Sequence, residues 1–364
     1  MTVTDSGRLP GPATPGTPAT RPRGEHRYDI DLVRVLASVG VIVCHAAGEL
    51  MKAVDRSPSG GDGPVYWTAL AGDALSRCAV PLFFAIAGWV VLSGAPPRDG
   101  GQIRGRLTRI VVPMVLWTAA YLVWDRVRDA NTDPTRQLAW DAVFGSVRPA
   151  FHLWYLYAYV PVILLLSVAV LARAGKRPWG AGAALLGIAL APTLLGDLGR
   201  LLDVRLPSFA WQFGVYQIAY AVAGAVLLSL PGSAVAGRRR RLLWLAGGLC
   251  AWAAVAGYEH RVHFPSPYGS VVVALLAGTL LMALNGIRVP ERFRPLLGRL
   301  AGASFGAYLV HLMFLEAIAG SVVSADAGWP AAVGGLVGLT VATVVLSFAA
   351  ALLWTRLRLG RWLG

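Results

Sequence analysis

Long apolar runs separated by short polar breaks recur from end to end of the chain. Ten of them are of spanning length or close to it, at roughly 29–50, 69–93, 107–125, 152–172, 179–196, 209–230, 241–258, 268–286, 300–321 and 330–355. A bilayer core about 30 Å thick needs about 20 mostly apolar residues in a helix. The pattern therefore predicts an all-α fold: a polytopic transmembrane helical bundle of about ten spans. No internal repeat of the kind found in inverted-repeat transporters is visible. The first 27 residues, MTVTDSGRLPGPATPGTPATRPRGEHR, are rich in Pro, Gly and Thr and lack an apolar core. They are expected to be a disordered tail (1–27) rather than a signal peptide. The transmembrane domain is expected over 28–358, with a short tail at 359–364 and no appended soluble domain.

Composition excludes a soluble enzyme. The chain is 56% hydrophobic and only 14% charged, against about 45–50% and about 25% in soluble domains. Charge then orients the spans. With the N-terminus placed in the cytoplasm, inner segments hold 22 of the 33 basic residues, outer loops hold 9, and Arg34 and Arg77 fall within or beside spans. Every second loop is basic, which is the positive-inside pattern for ten spans with both termini cytoplasmic. The same pattern accounts for the net charge of +14 without nucleic acid. Arg238 to Arg241 read as a topology anchor near anionic lipid. The expected location is the plasma membrane, with the bilayer as partner. Cys44, Cys78 and Cys250 lie in apolar stretches without metal-ligand or redox spacing, so they read as small buried hydrophobes, and no metal site is expected.

Chemistry enters with RVLASVGVIVCH, Arg34 to His45. Charged and ionisable side chains inside a span are costly, so each asks for a role. Eleven residues turn a helix by about 1100°, within about 20° of three full turns, and rise about 16 Å. Arg34 and His45 therefore share a face, with Ser38, Val41, Gly48 and Glu49 near it. Together they point to a polar groove that crosses the membrane, shallow at Arg34 and past the midplane at His45. Glu49, one turn beyond, is placed to accept from the imidazole or to sit unpaired in the outer headgroups.

Other polar residues leave two readings open. Asp73 and Arg77, four apart, form an ion pair on one helix, or Arg77 lines the groove. In IRGRLTRIVVP, Arg104, Arg106 and Arg109 are a positive-inside anchor, a phosphate clamp, or both. FHLWYLYAY places His152 and Trp154 at the outer interface. SFGAYLVHLMFLE carries Tyr308, His311 and Glu316, with His311 mid-span, where a groove role and a structural hydrogen bond are both open. His260 and His263 read as solvated.

Four stretches, DIDLVRVLASVGVIVCH, RCAVPLFFAIAGWVVL, IRGRLTRIVVP and the late YLVH, with HLWYL at His152 to Leu156, resemble the acyltransferase-3 family of bacterial integral membrane acyltransferases. Their order covers about Asp29 to Leu315. The Arg77 and VPLFF pattern is most similar to the branch associated with surface-polysaccharide O-acetylation. One departure is visible: the family's Ser-Gly element reads Ala87–Gly88 here, which puts a role for the serine hydroxyl in doubt. The resemblance implies an O-acyltransferase that moves an acyl group, usually acetyl, from acyl-CoA to a hydroxyl of a cell-surface glycan or glycolipid precursor. It maps the family's essential pair onto Arg34 and His45. On that mapping Arg104, Arg106 and Arg109 would hold the donor's phosphates, and Arg77 would bind the donor along the groove. His45, with Arg34 and Glu49, would serve the chemistry, and His152, Trp154, Tyr308 and His311 would line the groove. The extended pantetheine arm matches the Arg34–His45 separation in scale. Two alternatives stand beside this reading: the same chemistry on a small secondary metabolite such as a macrolide, and a glycan-precursor transporter without catalysis.

Overall fold

The computed structural model describes residues 26–57, 61–145, 148–204, 206, 208–230, 237–320 and 324–364. The expected tail therefore lies almost wholly outside the described residues, along with Arg8, Arg21, Arg23 and Arg205 of the charge pattern. The described residues form helices joined by turns and loops, with no strand among them. Among the described residues, eight helical stretches are long and apolar enough to cross a membrane.

Helix α1 (Tyr28–Arg56) runs unbroken for 29 residues. The second span is broken into α2 (Pro64–Ser76) and α3 (Ala79–Gly88), continued by a π-turn at Trp89–Ser93. Pro81 explains the break: without an N–H it cannot bond the carbonyl four residues back, at Arg77. The ladder resumes with Leu82 donating to Cys78 at 2.9 Å. Helix α4 (Gly100–Arg128) is capped by Asp99, whose carboxylate accepts from the Gln102 N–H at 3.0 Å. The chain continues through α5 (Thr135–Val143), a 3-10 turn at Arg148–Leu153, and α6 (Trp154–Arg173).

Helix α7 (Trp179–Leu201) has no buried residue, as befits a helix whose other neighbour is lipid. Helices α8 (Val215–Leu228) and α10 (Val271–Leu284) are shorter than the runs at 209–230 and 268–286 predict. At α10 the sequence supplies a late start: Ser270 caps the helix by accepting from the Val273 N–H. Between them lies α9 (Arg238–Arg261), and α11 (Arg294–Ala319) and α12 (Trp329–Arg356) follow. The expected tail at 359–364 contains a short helix, α13 (Gly360–Leu363), that packs back: Trp117 donates to the Leu363 carbonyl at 3.2 Å.

Helices α1 and α11 sit at the centre, flanked by α2, α3 and α12, and carry much of the buried core. Small residues let neighbours close in, which is how helices associate where no water drives them together. The closest crossing is α3 on α8. A Cβ at Gly88 would lie 1.8 Å from the Ala221 carbonyl oxygen, and one at Gly224 would lie 2.1 Å from that of Ala85. At the N-terminal end of α1, Asp29 accepts from Arg27 at 2.8 Å and from the Gly286 N–H at 2.8 Å, while Arg27 reaches Asn285 at 2.7 Å. These bonds tie the start of α1 to the end of α10. Of the cysteines, Cys78 is buried, Cys44 half-buried and Cys250 exposed, so the expectation of burial fails at Cys250.

Candidate active site

The continuous helix α1 keeps Arg34 and His45 on one helix three turns apart, as the spacing requires. At the His45 level two other spans bring in histidines. The 3-10 turn before α6 supplies His152 and α11 supplies His311. Ring centroids lie 5.1 Å apart for His45 and His311, 5.0 Å for His152 and His311, and 6.3 Å for His45 and His152. His152 is 2% exposed and His311 0%. His45 is half-buried, with Phe151 5.2 Å from its ring. His152, expected at the outer interface, is buried within the protein. Ala150 leaves helical geometry (φ −133°, ψ 54°), and the kinked turn that contains it lays His152 against Tyr121 and Tyr308, at 5.1 and 5.5 Å. Tyr308 fixes that turn by donating to the His152 carbonyl at 2.5 Å.

At the Arg34 level two adjoining cavities open, of about 360 and 300 Å³. They share Arg34, Arg109, Phe83, Ile110, Tyr155 and Tyr159. The first runs toward Ser304 and Tyr308. The second is walled by Ile86, Ala87 and Val90 and has Arg106 at its rim. Three guanidinium groups thus converge on one space. Within 4 Å they have a single acidic partner among the described residues, Asp31, 3.7 Å from Arg34. Nη1 of Arg106 is buried without a hydrogen-bond partner. A buried donor left unpaired is expensive, and a cluster of Arg forks suits a phosphate or carboxylate ligand. Tyr308 joins the two levels: it walls the first cavity, and its ring lies 5.8 Å from that of His311.

The family model for an acyltransferase domain, acyltransferase-3, matches residues 27–352. The chain belongs to that family. It is therefore a multi-pass membrane acyltransferase. Neither the curated proteins nor the solved structures compared with it contain a match.

The acyltransferase fold brings together Arg34, Arg106, Arg109 and Tyr308 at the cavities, and His45, His152 and His311 beside them. It separates the other candidates. Arg77 does not line either cavity. It is buried and paired bidentately with Asp73, with Glu259 3.3 Å from its Nε. Its guanidinium lies over Tyr268, on which Trp154 stacks at 5.6 Å. Trp154 therefore belongs with the ion-pair cluster. Arg104 is exposed and lines neither cavity. Glu49 pairs with Lys52 at 2.7 Å rather than with His45. Glu316 accepts from Trp124 at 2.9 Å and pairs with Arg128. His260, expected to be solvated, is half-buried and bonded to the Tyr66 hydroxyl at 2.9 Å.

Sequence reasoning missed Tyr155 and Tyr159 as cavity walls. They sit four apart on one helix face, a signal that was present but reads equally as an interfacial belt. It also missed Glu259, which nothing in the local pattern connects to Arg77.

Proposed function

We propose that this acyltransferase moves an acyl group, acetyl in the first instance, from acyl-CoA to a hydroxyl of a cell-surface glycan or glycolipid precursor. One observation carries the reading: Arg34 and Arg109 line two adjoining cavities, one with Arg106 added and the other walled by Tyr308, which touches the cluster of three histidines. A donor with phosphates at one end and a thioester at the other matches that polarity. On this reading Arg34, Arg106 and Arg109 hold the phosphates from the side the charge pattern makes cytoplasmic. The pantetheine arm follows the cavity along Phe83, Tyr155 and Tyr308.

The thioester then stands near His45. The imidazole removes the proton of the acceptor hydroxyl as its oxygen attacks the thioester carbon. The C–O bond forms, the C–S bond breaks, and the proton passes from His45 to the departing sulfur. Positioned general-base catalysis of this kind is typically worth about 10²–10⁴ in rate. The reading of the acceptor as a glycan rests on the resemblance of the Arg77 and VPLFF stretch to the polysaccharide-modifying branch.

The test is acyl transfer from radiolabelled acetyl-CoA in membranes that contain the wild type or His45→Ala, with insertion verified for both. Label is expected in lipid-linked or surface glycan with the wild type, and a loss of about 10²-fold or more in the inserted variant. A fully active His45→Ala protein removes His45 from the chemistry. A wild type silent with a series of acyl-CoAs removes the donor assignment.

A further inference from the structure

His311 carries a hydrogen-bond arrangement that the reading above does not use. Its Nδ1 lies 2.5 Å from the Tyr308 carbonyl oxygen, one turn back on α11. A carbonyl only accepts, so Nδ1 donates and bears the proton. In the neutral ring Nε2 is then a bare acceptor. That atom is buried and has no hydrogen-bond partner. Its ring is flanked by those of His45 and His152, and no carboxylate forms an ion pair with any of the three among the described residues. A nitrogen-to-nitrogen hydrogen bond of about 2.9 Å between two imidazoles puts their centroids roughly 5 Å apart. His45 and His311 stand at 5.1 Å with a tilt of 32°. That separation is within reach of an edge-on bond, which rotation of the His45 ring would complete while His311 keeps its bond to the Tyr308 carbonyl. Catalytic hydrogen bonds are often open in the absence of substrate.

We infer that His311 is a positioning residue for His45. Its Nε2 accepts the N–H of one His45 nitrogen and so leaves the other bare to take the acceptor's proton. Which nitrogen of a histidine is the base is set by the bond the other one makes. Here a neutral histidine, itself locked by a backbone carbonyl, fills the place that a carboxylate takes in a Ser-His-Asp arrangement. During transfer the C–O bond forms, the C–S bond breaks and the proton ends on sulfur. His311 orients the base and neither gains nor loses a proton. A neutral partner fits a site within an apolar bundle, where a buried carboxylate would need a counter-charge.

The inference rests on the acyl-transfer reading, and two variants separate it from that reading. His311→Asn keeps an amide N–H near the place of Nδ1 and can still donate to Tyr308, but has nothing at Nε2. His311→Gln restores a polar atom near Nε2. With the full chain in nanodiscs, His311→Asn is expected to bind acetyl-CoA as the wild type does and to lose at least about 30-fold in kcat, within the range for a disturbed general base. His311→Gln should recover part of that loss. An independent readout needs no folded variant. In ¹⁵N-histidine-labelled wild type, one buried ring should show a protonated Nδ1 and a bare Nε2 at neutral pH. A His311→Asn protein within threefold of wild-type kcat, or a proton found on Nε2 of His311, overturns the inference while leaving the acyltransferase reading standing. A wild type that neither binds nor uses acyl-CoA overturns both.

Discussion

Gly88→Ala tests whether the α3–α8 crossing holds the cavity wall in place. A methyl group at position 88 would stand 1.8 Å from the Ala221 oxygen, 2.3 Å from its carbonyl carbon and 2.5 Å from its Cα. All three are backbone atoms, so no rotamer change relieves the overlap. Comfortable contact begins near 3.4 Å, so the helices must part by about 1.6 Å along that line. Gly224 meets Ala85 from the other side at 2.1 Å, so the separation also undoes its packing. Overpacking that side chains can absorb costs about 1–3 kcal/mol, and a collision between backbones belongs at the top of that range. Replacing glycine by alanine within a helix returns about 0.5–1 kcal/mol, which leaves a net loss of about 2 kcal/mol. Thermal unfolding in nanodiscs reads this directly, with Gly187→Ala on α7 as control. Nothing lies within 4 Å of a Cβ at Gly187, so that variant should match or slightly exceed the wild type. Phe83, Ile86 and Ala87 of α3 wall the cavities, so acyl transfer should fall together with stability in Gly88→Ala. A Gly88→Ala protein that melts and transfers acyl groups like the wild type would show that the two helices do not cross there.

Two further outcomes follow from the arginines. Arg77→Ala leaves Asp73 and Glu259 buried without their cation, a loss of about 3–5 kcal/mol, to be seen as early unfolding. Neutralising both carboxylates in the same chain (Asp73→Asn, Glu259→Gln) should recover a large part of it. Arg106→Ala should weaken CoA binding by about 10–100-fold, the worth of a charge-assisted hydrogen bond of about 1.5–3 kcal/mol. Isothermal titration against CoA checks it, and a wild-type affinity in that variant would remove Arg106 from the donor site. Arg104→Ala, which touches neither cavity, is the matching control.

What was legible in the sequence divides along a physical line. Positions on one helix could be related to each other, because the helical repeat is fixed: Arg34 and His45 on α1, and Asp73 with Arg77 as an i,i+4 pair. Positions on different spans could be flagged only one at a time, by the cost of a polar side chain in lipid. His311 was flagged in this way, and His152 by the HLWYL stretch that resembles the family's. Their meeting with His45 depends on how α6 and α11 pack, and on a kink at Ala150 that no periodicity announces. Arg77 shows the opposite error. Its pairing with Asp73 was one of two open readings, and the second carboxylate, Glu259, lies far along the chain on α9. With two buried carboxylates to balance it, Arg77 is occupied, and the groove reading loses its cation. Where a polar residue has local partners the helical repeat finds them; where its partners come from other spans, only the packed structure does.

The departure from the family's Ser-Gly element illustrates how the two levels combine. From the sequence, either the serine hydroxyl or the small size of the pair could matter. The structure assigns the two positions different duties. Gly88 faces α8, where the Ala221 backbone leaves no room for any side chain. Ala87, its neighbour about 100° round the helix, walls the cavity that Arg34, Arg106 and Arg109 share. Smallness is thus demanded at 88 by packing alone, whatever the chemistry. At 87 a hydroxyl would add a donor to a wall otherwise built from Ile86, Val90 and Val91. Alanine keeps that stretch of wall apolar, in a cavity whose cationic groups are Arg34, Arg106 and Arg109. The sequence change therefore falls on the cavity side of the helix, and the helix crossing that positions this side is unaltered.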